Sequence, residues 1–409
     1  MEAPLKVSFV YNAGLHQIPH SLPLALELSA GHPDIEVDVV GASERHLEFA
    51  RRLAAAYGIE APVRYLPLFR PWDVRLRARL TGELAPMKKR TLRANLAMLA
   101  ARDAIVTPEW TSLVLRRKLP RTHMVFTSHG AGDRAITVTS SIRGFDFVFT
   151  SGAKLEQRML DLQLIRPGRY ATGVYPKFDW VMRSRVPRRP LFDNGRPTIL
   201  YSPHFQRSLS SWPLVGRKVL DYFAASERYN LVFAPHVRMF ESPWRPRHRP
   251  FRRYRGLKHM LIDLGSERSI DMSYTLGADV FLGDVSSQVS EFVMRPRPCL
   301  FLNPRGTAWQ GDPNYLFWTL GPVIEDVRRL GEGLRQALDS HALYESRQRA
   351  YFSSTFGEEW GAEPSARRGA HLLASYLRRS IVKGVNAVSA TAVLGADSAA
   401  PMIDLLPTL

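Results

Sequence analysis

From Lys6 onward, short runs rich in Val, Ile and Phe alternate with longer segments of helical spacing. That alternation leaves few architectures open. Each strand needs a crossover to reach a parallel neighbour, and the crossover helices cover both faces of the sheet. Residues 6–11 and 36–40 read as buried strands. Residues 43–57 place Leu47, Ala50, Leu53 and Ala54 on one helical face, with Ser43 as N-cap and Gly58 as the stop. Further strands are expected at 63–66, 104–107, 124–127 and 145–150, and helices at 22–29, 91–101 and 153–162.

The pattern breaks at residues 183–197, RSRVPRRPLFDNGRP, which hold three prolines and five arginines. Such a stretch punctuates regular structure. Strands then resume at 198–202, 231–234, 278–282 and 299–302, and helices at 214–223, 287–294, 326–339 and 365–379. A chain of 409 residues has room for two or three domains at roughly 100–200 residues each. The reading is two α/β domains, 1–188 and 189–379, followed by a loosely ordered tail, 380–409.

Composition narrows the partners. Lys and Arg total 56 against 38 Asp and Glu, a formal charge of +18. Such a surface attracts phosphorylated molecules, anionic lipid or nucleic acid. Residues 238–258 concentrate it, with seven arginines and one lysine against Glu241, interleaved with Trp244, Phe251 and Tyr254. The single cysteine, Cys299, excludes an intrachain disulfide and paired-cysteine zinc sites; it reads as a buried strand residue. No apolar run reaches the length of a membrane span, and the start lacks a signal-peptide pattern. A cytoplasmic protein, resting on the inner membrane face, is the expectation.

Four clusters carry chemistry, each directly after an expected strand. The first is Ser128-His129-Gly130-Ala131-Gly132-Asp133-Arg134. It puts an imidazole at the carboxyl edge of a parallel sheet, where such sheets bind ligands. Histidine there suits general-base work; a plain turn histidine is the alternative. The second runs from Asp284 through Ser286 and Ser287 to Glu291. Its serines fall where a helix begins, a place suited to phosphate, or to an ordinary N-cap. The third holds His236 and Arg238, suited to a diphosphate or else solvated in a basic loop, and the fourth His204 and Arg207, facing the interdomain cleft or else part of an ordinary loop. Together the clusters indicate a phosphate-bearing ligand held between two α/β domains.

These residues resemble the CDP-glycerol glycerophosphotransferase family of teichoic-acid polymerase type. The matching pieces are His129-Gly130, the stretch Thr172-Gly173-Val174-Tyr175-Pro176-Lys177-Phe178-Asp179, Tyr201-Ser202-Pro203, Pro235-His236, and Asp284-Val285-Ser286-Ser287 with Glu291 and Arg297-Pro298. The chain departs from the family at His204, usually Thr, and at Glu291, usually Asp. The resemblance implies a GT-B-like fold, two Rossmann-like doubly wound domains facing each other across a cleft. It implies transfer of a polyol phosphate from a CDP-activated donor to an acceptor hydroxyl on an anionic polymer or lipid-linked acceptor, with release of CMP and no cofactor or metal. His129 and His236 would be catalytic. Asp284, Ser286, Ser287, Glu291, Arg238 and Arg207 would hold the donor, with Glu291 facing the ribose. Gly130, Asp133, Arg134 and His204 would line the acceptor side of the cleft. A nucleotide-sugar glycosyltransferase shares this fold and phosphate site. A non-catalytic binder of nucleic acid or membrane is the alternative from another class; no nucleic-acid fold signature is present.

Overall fold

The computed structural model describes residues 3–133, 138–184, 190–240, 249–357 and 363–391. Seven strands form the first sheet: β1 (Leu5–Tyr11), β2 (Ile35–Gly41), β3 (Arg64–Pro67), β4 (Ala104–Thr107), β5 (His123–Thr127), β6 (Phe147–Phe149) and β7 (Tyr170–Ala171). Their order is β3-β2-β1-β4-β5-β6-β7, and every pair is parallel. Six form the second: β8 (Thr198–Ser202), β9 (Asn230–Phe233), β10 (Met260–Ile262), β11 (Val280–Gly283), β12 (Cys299–Leu302) and β13 (Val323–Ile324). Their order is β10-β9-β8-β11-β12-β13, again all parallel.

Both sheets are covered on both faces, which is why their strands read as continuous apolar runs. In β1, Val7, Phe9 and Tyr11 enter one buried cluster and Val10 another. In β8, Ile199 and Tyr201 point to one core and Leu200 to the other. Strand order reverses between β1 and β4 and between β8 and β11. The crevices outside those strand ends are the places where open α/β sheets take ligands.

The chain does not stay in its second half. Helix Ser365–Thr391 packs Leu373, Ala374, Tyr376 and Leu377 into the cluster that holds Phe9 and Tyr11. Its start is fixed by the buried Asp179 carboxylate, which accepts from the Ser365 amide (3.0 Å) and hydroxyl (2.7 Å) and the Ala366 amide (2.7 Å). By packing, this helix sits with the first sheet, although its position in the chain places it with the second. The expected loose tail from 380 is instead helical as far as Thr391; the boundary segment 185–189, residues 241–248 of the basic run and residues 392–409 lie outside the described residues.

Two expected helices differ. The one expected at 91–101 is two pieces, Lys88–Ala94 and Leu96–Ala100, parted at Asn95. The Asn95 amide group binds the Phe69 carbonyl and the Thr91 carbonyl, and its oxygen receives the Phe69 N–H. The one expected at 287–294 is a five-residue turn, Gln288–Phe292. Among the described residues, no helix is long and apolar enough to cross a membrane.

Candidate functional site

Loops from the carboxyl ends of both sheets meet between the domains. After β5, the backbone at Gly130 and Gly132 runs against Ser287 of the second domain. A Cβ on Gly132 would lie 3.1 Å from the Ser287 Cβ, and one on Gly130 would lie 3.6 Å from its hydroxyl. Gly132 is the tight point of this approach, where a Cβ would require Ser287 to give way by a few tenths of an ångström, whereas a Cβ on Gly130 would make only ordinary contact. Ser290 closes the same seam by donating to the Ala131 carbonyl at 3.1 Å.

The His129 ring is oriented by a backbone group. Its Nδ1 lies 2.5 Å from the Pro108 carbonyl oxygen. A carbonyl only accepts, so Nδ1 carries the hydrogen and the neutral ring keeps its lone pair on Nε2. Burial lowers its pKa below the ordinary histidine value, only partly offset by that hydrogen bond. The ring is thus a neutral base at neutral pH.

The second-domain histidines are set the other way. His204 Nδ1 accepts from the Gln206 N–H at 3.0 Å, and His236 Nδ1 accepts from the Arg238 N–H at 3.2 Å. In both neutral rings the proton therefore sits on Nε2, which makes that nitrogen a donor. Phe205 lies between them, with ring centroids 4.4 Å from His204 and 4.6 Å from His236. The exposed Arg238 guanidinium lies 4.3 Å over the same Phe205 ring, a cation–π contact that holds it beside His236.

His16 joins the two sets. Its ring centroid is 6.2 Å from His129 and 5.9 Å from His236. It follows β1 at the turn Asn12-Ala13-Gly14. The ring folds back on Gly14, where a Cβ would meet it at 2.6 Å. The turn is pinned by buried His46, whose Nε2 lies 2.6 Å from the Ala13 carbonyl and whose Nδ1 lies 2.7 Å from Ser43 Oγ. Ser43 was expected to cap its helix with that oxygen; it makes no side-chain cap and serves His46 instead. Burial pushes the pKa of His46 down to about 4 and that of His16 well below its ordinary value. His20, at the end of this loop, is buried with its Nδ1 unpartnered and its ring centroid 5.2 Å from Tyr175.

Three carboxylates expected at the ligand are engaged elsewhere. Glu291, expected to face a ribose, is buried and holds Lys177 Nζ at 2.7 Å through both oxygens, while Tyr175 donates to it at 2.8 Å. The second domain thus spends this carboxylate on a buried ion pair with the first. Asp284 is fully enclosed. It accepts from the amides of His204 (2.9 Å), Ser211 (2.6 Å) and Val285 (2.6 Å) and from the Ser211 hydroxyl (2.8 Å). It clamps the loop after β8 to the loop after β11, and burial raises its pKa despite these donors. Asp133 is buried beneath Lys154 (2.5 Å) and the Tyr351 hydroxyl (2.9 Å), so it braces the first loop and does not line a cleft. Arg207 is exposed, and its backbone carbonyl accepts from Arg305. Arg134 lies outside the described residues.

The serines remain, with a change of physics. A five-residue turn aligns too few peptides for a full helix dipole, so anion binding here rests on hydroxyls and imidazole N–H groups. Ser286 Oγ, itself buried, accepts the Gln288 amide at 3.3 Å. Among the described residues, no group of three or more His, Cys, Asp or Glu stands close enough to hold a metal ion. A recess of about 680 Å³ opens elsewhere, beside β13, between Trp309, Tyr344 and Arg347; none of the histidines lines it.

His16, His20 and Lys177 stand outside the site residues that the sequence indicates. The signal for the first two was present: a glycine turn and two histidines directly after the first strand, the same form as the four clusters.

No family model matches the chain, and no curated protein matches it by sequence. Solved structures match by fold. A Listeria monocytogenes protein assigned as a UDP-N-acetylglucosamine 2-epimerase aligns at a TM-score of 0.65 and 14% identity, covering 92% of this chain and 98% of that one. The wall teichoic acid polymerase TagF, soaked with CDPG, aligns at 0.59 and 11% identity, covering 92% and 89%. The UDP-GlcNAc 2-epimerase of Neisseria meningitidis, bound to UDP-GlcNAc, aligns at 0.57 and 12% identity, covering 92% and 100%. This chain has the GT-B fold. At these identities the likeness is one of fold alone.

Proposed function

We propose that the chain is a transferase that takes a CDP-activated polyol and passes its polyol phosphate to an acceptor hydroxyl, releasing CMP. The observation that carries this reading is the opposition across the domain seam. His129, with its basic Nε2, stands on a loop that touches Ser287, beside imidazoles that present Nε2–H. The acceptor hydroxyl gives its proton to His129 Nε2. Its oxygen forms the new bond to the β-phosphorus, the bond from that phosphorus to the CMP oxygen breaks, and CMP leaves with the electron pair. His236 Nε2–H, the Ser286 and Ser287 hydroxyls and Arg238 take the charge on the diphosphate. Positioning and charge stabilisation dominate such chemistry. The engaged carboxylates leave this work to imidazoles and hydroxyls. The acceptor in this reading is a cell-envelope glycan or a lipid-linked polymer, and nucleic acid is not a partner.

A second reading, chemistry on a nucleotide sugar, is favoured by the epimerase structures among the neighbours, one of which holds UDP-GlcNAc. Calorimetry with CMP, CDP, UDP and GDP separates the two. Selective binding of cytidine nucleotides, weakened in Ser287→Ala, supports the first; selective binding of UDP moves the assignment to the second. With a CDP-linked donor, release of CMP marks phosphoryl transfer and release of CDP marks glycosyl transfer.

A further inference from the structure

The helix Trp72–Thr81 turns its apolar side outward. Its sole buried side chain is Val74. Trp72, Leu76 and Leu80 recur every four residues and are 69%, 48% and 64% exposed, and Phe69, just before the helix, is 64% exposed. Monomeric soluble proteins rarely keep a contiguous apolar patch of this kind without a partner. On a helical wheel Arg75 and Arg79 flank one edge of the stripe and Arg77 the other, and all three are exposed. Asp73, the acidic residue of the helix, is neutralised by Arg90 at 2.5 Å. Residues 69–93 hold eight Lys and Arg against two Asp and Glu.

The patch is held in place. Asn95 grips the Phe69 backbone in both directions at 2.8 Å. It also lies beside the candidate site. β3 is parallel to β2, with Pro67 opposite Gly41, so the segment leaves the sheet at the edge that bears the histidine loops. The next helix brings Lys88, whose carbonyl accepts from Asn12 at 3.0 Å and whose ammonium pairs with Glu109 at 3.0 Å, beyond β4.

We propose that the Phe69–Thr81 segment is a membrane-docking surface for an anionic phospholipid bilayer, set so that the first-domain side of the cleft opens at the lipid surface. An apolar stripe fenced by arginines matches the bilayer boundary: Trp and Leu enter the headgroup–acyl region while guanidinium groups reach the phosphates. Charge complementarity selects this occupant over a second copy of the chain, which carries the same positive field. The proposal goes beyond the transfer reaction and does not depend on it.

The test is co-sedimentation of the full chain, without nucleotide, with vesicles of phosphatidylcholine alone or mixed with phosphatidylglycerol. The wild type binds the mixed vesicles, more weakly as salt rises. Leu76→Glu with Leu80→Glu lowers the partition coefficient about tenfold or more, with circular dichroism and Tm unchanged because neither side chain is in the core. Arg75→Gln with Arg79→Gln removes the preference for anionic vesicles. Three outcomes overturn the proposal: no binding by the wild type, equal binding by the leucine variant (the attachment then lies in other basic segments), or a wild-type dimer in sedimentation velocity that the leucine variant splits.

Discussion

The two halves of the cleft use one residue type to opposite ends. On the first-domain side, a main-chain carbonyl takes the Nδ1 hydrogen of His129 and leaves a basic Nε2. On the second-domain side, main-chain N–H groups donate to Nδ1 of His204 and His236 and leave Nε2 as a donor. Nothing in the side chains differs; the backbone partner decides. A histidine at a strand end is thus a base or an anion ligand according to whether the loop turns a C=O or an N–H toward it. The contrast divides the proposed labour, with proton removal on one domain and charge capture on the other.

The largest break in that contrast is at His129. His129→Asn keeps a side-chain N–H for the Pro108 carbonyl but has no basic nitrogen. On the proposed mechanism, kcat falls roughly 10²–10⁴-fold while thermal unfolding stays near wild type. A loss of only a few-fold by steady-state kinetics would remove the base from the first-domain side and with it the division of labour.

Next in size is the link between the halves. Lys177 and Glu291 are buried and joined at 2.7 Å. Removing one partner leaves an uncompensated buried charge, which typically costs about 3–5 kcal/mol, whereas removing both together is far milder. Lys177→Met is expected to lose that much in urea unfolding, and Lys177→Met with Glu291→Gln to recover most of it. If the double variant is as unstable as the single, Glu291 has another essential partner and a ligand role for it reopens.

The fold was legible because alternation and burial act locally. The centres of both sheets fall where apolar runs lie between turn residues, and the four clusters sit at the ends of β5, β8, β9 and β11. What was not legible is long-range. Whether Glu291 meets a ribose or Lys177 depends on a helix 114 residues away, and no local pattern encodes that distance. Asp284 resembles an N-cap in sequence, yet it spends its oxygens on the loop after β8. β7 and β13, two residues each, are too short for any periodicity to register. Helix Trp72–Thr81 is not legible as a core element because its apolar stripe faces outward and only Val74 is buried. Helix Ser365–Thr391 was legible as a helix but not as a return to the first sheet.

The pH profile sharpens the contrast from the first-domain side. Burial lowers the pKa of His129, and catalysis needs it unprotonated. The acid limb of kcat/KM is therefore expected below pH 6.5, the ordinary histidine value, with a plateau above. Stability follows the same sign at His46, which binds protons more weakly folded (about 4) than unfolded (6.5). Its contribution is whole above pH 6.5 and is lost as pH falls toward 4, roughly 3 kcal/mol in all. His46→Gln should flatten that part of the urea-midpoint profile. A rate profile with its midpoint at or above pH 7 would assign the titration to a less buried group than His129.

The smallest effect tests the second-domain side. Arg238 is exposed and lies over Phe205, so solvent screens its charge. Arg238→Gln should weaken donor binding only a few-fold, on the order of 0.5–1 kcal/mol, and should reduce its salt dependence. Ser287→Ala, which removes a hydrogen bond to a charged oxygen in the proposed complex, should cost more, about tenfold or above. The order of the two variants in calorimetry is the informative quantity. Were Arg238→Gln the worse of the pair, the guanidinium would close directly onto the diphosphate, and anion capture would depend on an exposed surface charge, with the imidazole and hydroxyl donors of the second domain in a secondary role.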